Sequence, residues 1–163
     1  MNLARFIDFP PPRRLLLAIA LLSAAAILPY LPFLALPPIS DDYMQIGLGR
    51  EFISADGLSK LAGDALYRTR ATSLFLTRAV EAVAGKDIFY HRLVSILLHV
   101  CNGLLILACG VWPRLGYRRA FVAAMAFVLV ASHQEAVVWV AAVHELLVFG
   151  FTLLCLLGWL QWL

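Results

Sequence analysis

Charge is what this sequence has least of. Asp, Glu, Lys and Arg make up 14% of its 163 residues against 63% apolar ones, and the mean hydropathy is +0.87. A single core in a chain this short cannot bury so much apolar surface, which excludes an ordinary soluble domain. Cysteine is scarce too: Cys101, Cys109 and Cys155 all fall in apolar runs, and their odd number and their spacing give neither a disulfide framework nor a metal site. No stripe of basic and aromatic residues is present, so nucleic acid is excluded as a partner, and a net charge of +3 is ordinary for a membrane protein with basic edges. No small-x-small cleavage site follows the first apolar run. That run also exceeds the roughly 7 to 15 residues of a secretory core, so it is not a removable signal peptide.

What is present is a set of apolar blocks near the length a bilayer-spanning helix needs, roughly 20 residues. They cover 15–36, 93–112, 120–132 and 146–163, the third being short. The fold expected is therefore all-α: an integral membrane bundle of about four transmembrane helices, with 37–92 as a helical extracytoplasmic first loop and 1–163 as one domain. Pro29, Pro32, Pro37 and Pro38 bend and stop the far end of the first span. Arg5, Arg13 and Arg14 precede that span, and Arg114, Arg118 and Arg119 follow the second. The positive-inside rule puts both groups in the cytoplasm and 37–92 outside. Seven basic residues within 37–92 are balanced by seven acidic ones, although Arg92 abuts the second span and weakens the assignment. The last apolar run reaches Leu163 without a charged flank, so the sequence reads as the N-terminal part of a longer protein.

The outer segment opens with Pro37-Pro38-Ile39-Ser40-Asp41-Asp42-Tyr43, two carboxylates just past the end of a span. An enzyme working on a membrane-borne substrate needs acids at that place. Equally, Ser40 suits a helix N-cap, with Asp41 and Asp42 placed favourably in the first turn. Over 72–83 the spacing predicts an amphipathic helix lying on the bilayer surface, with Thr72, Leu76, Ala79, Val80 and Val83 on one face and Arg78 and Glu81 opposite. Arg68 and Arg70 precede it, either as solvated charges or as a guanidinium clamp for a phosphate or pyrophosphate head group.

Within the second span Ser95, His99 and Asn102 recur at helical spacing and form one stripe. Polar groups at that depth face other helices or a water-filled cavity, so the stripe is interior; helix-to-helix hydrogen bonding and substrate contact both fit. A polar break over 133–145 supplies His133, Glu135, His144 and Glu145. Their spacing matches no established metal-ligand pattern.

Taken in order, several stretches resemble the GT-C superfamily of membrane glycosyltransferases over about 37–150. They are Asp41-Asp42, Arg70-Ala71-Thr72-Ser73, 85–89, Leu93-Val94-Ser95-Ile96-Leu97-Leu98-His99, His133-Gln134-Glu135-Ala136-Val137-Val138-Trp139 and Glu145-Leu146-Leu147. Within that superfamily the sequence is most similar to the transmembrane and tetratricopeptide-repeat O-mannosyltransferases and their bacterial relatives. It departs from the family pattern in several places. Ala71 replaces a proline, Arg92 stands for the first of two paired histidines with His91 beside it, Val130 and Ala131 replace His-Pro, and Val143-His144-Glu145 stands for Arg-Lys-Asp.

The resemblance implies a multi-pass protein of the bacterial inner membrane whose parent enzyme moves a sugar from a polyprenyl-phosphate donor to a protein or glycan acceptor on the outer face. Asp41 or Asp42 would be the catalytic carboxylate, acting as general base, with arginines stabilising the leaving phosphate. Arg68, Arg70, His99, His133 and Glu135 would bind substrate in a membrane-lipid setting. Some relatives place a divalent metal at the acidic motif and others do not. Two other readings fit the same residues: a non-catalytic membrane assembly protein or transporter fragment in which the acids only cap a helix, and an inactive fragment of a glycosyltransferase.

Overall fold

The computed structural model describes residues 10–52 and 55–162; Arg5 lies outside the described residues. Every regular element among them is helical: α1 (Pro12–Ile27), α2 (Asp42–Phe52), α3 (Ala55–Gly63), α4 (Ala65–Ala84), α5 (Ile88–Ala108), α6 (Gly116–Leu129), α7 (Gln134–Val138) and α8 (Val143–Trp162), with short 3-10 stretches between some of them.

Three stretches are long and apolar enough to cross a membrane: Pro12–Ala35, Ile88–Val111 and Val140–Trp162. Gly116–Leu129 and Ala131–Val138 pass the same criteria only as a pair, bent by 56° at the break between them. Proline sets the shape of the first stretch as its spacing predicts. The α-helix ends at Ile27, Leu28–Ala35 continues as 3-10 helix through Pro29 and Pro32, and the chain is extended at Leu36. The second and fourth stretches start earlier than their apolar cores, because α5 is capped by the Asp87 carboxylate accepting from the Phe89 amide, and α8 begins at Val143.

α5 is the hub, packing against α1, α6, α7 and α8. One core joins Leu22 and Ala26 of α1, Val100 and Leu107 of α5, and Ala124 and Val128 of α6. Gly103 makes the close approach of α5 to α6 feasible, since a Cβ there would lie 2.8 Å from Val128 Cγ1. A second core gathers Tyr30, Ile96, Ala136, Val137, Val138 and Leu146. The outward faces of α1 and α8 remain apolar, with Leu16, Leu17, Leu21, Val148, Phe151 and Leu154 at least half exposed. That is what a surface bathed in hydrocarbon requires.

One expectation needs correction. The stretch 133–145 is not simply a polar break: Ala136 to Val138 and Val140 to Val143 are buried, and only a few side chains such as Glu135 and Glu145 reach the surface. On α4 the face that packs on α2 is a different one from the apolar stripe. Tyr67, Ser73, Leu74 and Thr77 are buried, whereas Thr72 and Val83 are exposed. The reason is α2, which offers the buried amide of Gln45 to that side; Gln45 Nε2 donates to Ser73 Oγ (3.3 Å) and Thr77 Oγ1 (3.2 Å), so hydroxyls turn inward.

Candidate functional site

The acidic turn sits where the first apolar stretch ends. Ser40 holds a positive φ of 41°, a left-handed backbone that a serine adopts at some cost. It does not cap α2. Its hydroxyl donates to Asp41 Oδ1 (3.2 Å), while the Asp41 carbonyl accepts the Gln45 amide at the start of the helix (2.9 Å).

Adjacent in sequence, the two aspartates occupy opposite environments. Asp42 is wholly buried. Its Oδ2 accepts from the Ile39 amide (2.9 Å) and lies 3.7 Å from Arg92 Nη2, and its Oδ1 accepts from the Ala141 amide (3.2 Å). Arg92, 1% exposed, spends the rest of its guanidinium on main-chain oxygens. Nε donates to Val138 (3.3 Å), Nη2 to Pro37 (2.7 Å) and Nη1 to Leu36. A buried charge pair is tolerable only when nearly every donor and acceptor is used, and here they are. Arg92 is therefore not an interfacial flank of the second span but part of a knot tying 36–42 to 138–141. Asp41 stays exposed at the edge of that knot.

Beside the knot lies a groove of about 490 Å³ lined by Ile39, Ser132, Gln134, Glu135, Val138 and Trp139 among others. The Trp139 indole donates to the Ile39 carbonyl (3.4 Å), so this wall is fastened to the acidic turn. On the other flank Arg70 Nη1 donates to Gln45 Oε1 (3.4 Å), which brings a half-buried guanidinium to the first turn of α2.

The other candidates are placed differently. Arg68 is exposed in the first turn of α4 and donates to the Ala62 carbonyl of α3 (3.4 Å). His99 is completely buried, seven residues and about 10 Å along α5 from Arg92. Its ring packs edge-on to Tyr30 (5.6 Å between centroids) and against Phe127 (5.1 Å) and His133 (5.8 Å). The Val128 backbone lies alongside without hydrogen-bond geometry to either ring nitrogen, and His133 Nδ1 is likewise unpartnered. The stripe on α5 is interior, as its spacing requires: Ser95 and His99 are fully buried, and Asn102 donates to the Leu146 carbonyl (3.0 Å). Gln45, His91 and Arg92 were not among the sequence candidates. Arg92 did carry a signal, a charge set inside an apolar helix.

Outside the apolar stretches, Glu51, Lys60 and Tyr67 join α2, α3 and α4. Glu51 Oε2 accepts from Tyr67 Oη (2.9 Å) and Lys60 Nζ (3.2 Å). The Tyr67 hydroxyl, then Lys60, hold the Glu51 carboxyl below its ordinary value, and Glu51 raises Lys60.

The donor set at the acidic turn does not fit a metal. Both Asp42 oxygens are already taken by amides and Arg92, and no group of three or more His, Cys, Asp or Glu gathers among the described residues. In comparisons with protein-family models, curated proteins and solved structures, nothing matches this chain.

Proposed function

We propose that the chain crosses a membrane four times, the third crossing being the bent pair of α6 with the helices after it, and that it carries the acidic turn of a glycosyltransferase. The membrane is the inner membrane of a bacterium, and 37–92 lies on its outer side. The donor is a sugar on polyprenyl phosphate and the acceptor a hydroxyl of a protein or glycan. The single observation behind this reading is the division of labour within one turn: Asp42 is consumed by the fold, while Asp41 is left exposed two residues from Ile39, which lines a groove together with Glu135 and Trp139.

In this mechanism Asp41 takes the proton of the acceptor hydroxyl as it attacks the anomeric carbon. Trp139 offers an apolar ring to a sugar face, and Arg70 places positive charge towards the phosphate that departs. His99 and His133, within the bundle, hold the wall of the groove in shape and do not touch the sugar. No step passes through a metal.

The test is transfer of labelled sugar from a polyprenyl-phosphate donor, in membranes carrying the gene product that contains this chain, normalised to protein level. Asp41→Asn should cut the rate about 10²- to 10⁴-fold. Transfer near the unsubstituted rate removes the base from the mechanism and favours a non-catalytic assembly or transport role for the same turn.

A further inference from the structure

We infer that the other end of the bundle holds an anionic phospholipid, its phosphate among Arg14, Arg118 and Arg119 and one acyl chain along the outer face of α6. The inference rests on the membrane placement proposed above and is independent of the glycosyl-transfer chemistry.

A cavity of about 860 Å³ opens between the N-terminus of α1 and the turn joining α5 to α6. Arg14, Arg118 and Arg119 line it together with apolar residues that include Leu15, Leu107 and Phe121. Among the described residues no acidic one lines it, and none of the three arginines has an ion-pair partner. Arg119 gives one Nη1 bond to the Arg114 carbonyl (2.9 Å), which leaves the rest of its fork for a ligand. Three arginines lining one recess suit a phosphate monoanion or diester.

A second feature selects the source of that phosphate. A furrow of about 380 Å³ shares Arg118 and Arg119 with the cavity and runs on over Val122, Ala123 and Ala126. These residues recur at three- and four-residue spacing, so they form one stripe down α6. Their small side chains leave room, and Val122 is 68% exposed. Charge at the membrane surface continuing into an apolar track matches a lipid, whose head and tail are joined in that way; free phosphate has no use for the track.

The full chain, purified in detergent, is mixed with phosphatidylglycerol or with phosphatidylcholine of identical acyl chains, and retained lipid is counted by native mass spectrometry. Phosphatidylglycerol should be retained in preference. Arg118→Gln and Arg119→Gln should each lower that retention about 5-fold, whereas Arg13→Gln, which removes the same charge from an exposed position outside the cavity, should leave it unchanged. Val122→Trp fills the furrow and should reduce retention without altering charge, and millimolar inorganic phosphate should displace nothing. Equal retention of the two lipids, or a loss with Arg13→Gln as large as with Arg118→Gln, overturns the site. Displacement by phosphate together with a silent Val122→Trp also overturns it, identifying a pocket for free phosphate.

Discussion

Replacing Asp42 by asparagine puts an amide NH2 on a side chain whose two oxygens now serve Ile39 and Ala141, and it strips Arg92 of its counter-charge. A buried guanidinium without a partner is expected to cost about 3–5 kcal/mol. Asp41→Asn, at an exposed position with one long hydroxyl bond, should stay within about 0.5 kcal/mol of the unsubstituted chain. Chemical denaturation of both variants in the same detergent checks the contrast, and equal losses would show that the turn is not asymmetric. From sequence the pair was legible as two acids beyond a span, and no further. Which one is buried depends on Ala141, 99 residues away, and no local pattern carries that information.

At the scale of elements, the approach of α5 to α6 depends on a missing side chain. Gly103→Ala would set a Cβ 2.8 Å from Val128 Cγ1, and overpacking of this kind costs about 1–3 kcal/mol. Adding Val128→Ala should return part of that loss, so the double variant should be more stable than the sum of the singles predicts; strict additivity in thermal melts would place the strain elsewhere. Apolar length alone located α1, α5 and α8. It did not reveal the face of α4 that packs on α2, because hydrophobic spacing cannot register a buried glutamine that draws Ser73 and Thr77 inward. It also missed that 136–143 packs inside, since apolar residues grouped in short helices give no single period. Titration belongs to this scale as well. Glu51, depressed in the folded state, supports the union of α2, α3 and α4 above its ordinary value of 4.5 and loses that support as pH falls below it. Raised Lys60 fails only above 10.5. Proteolysis of α3 should therefore accelerate below about pH 4 and not between pH 6 and 9; a change centred near neutrality would count against this network.

For the whole molecule, the two ends of the bundle differ in charge chemistry. Arg14, Arg118 and Arg119 share one cavity at the end where α1 begins and α5 finishes. The acidic turn meets the opposite end of α5, since Arg92 and Gly110 are about 27 Å apart along the helix. On a cysteine-free background, Gly63→Cys should react with a membrane-impermeant maleimide in intact cells, and Arg114→Cys only after permeabilisation. The reverse pattern inverts the topology and takes the outer-face reading of Asp41 with it. Composition was sufficient for a membrane bundle to be expected; the knot that organises one end of it became visible only in three dimensions.

That knot imposes an order on biogenesis. Its partners are separated by 99 and 100 residues in the hydrogen bonds from Ala141 and Trp139, so the turn at 36–42 leaves the ribosome long before the groups that hold it. Until 138–141 has been inserted, Asp42 lacks its Ala141 donor and Arg92 its Val138 acceptor. The nascent chain must therefore keep an acid and an arginine hydrated beside the membrane, and the exposed position of Asp41 is fixed only once 138–141 has been made.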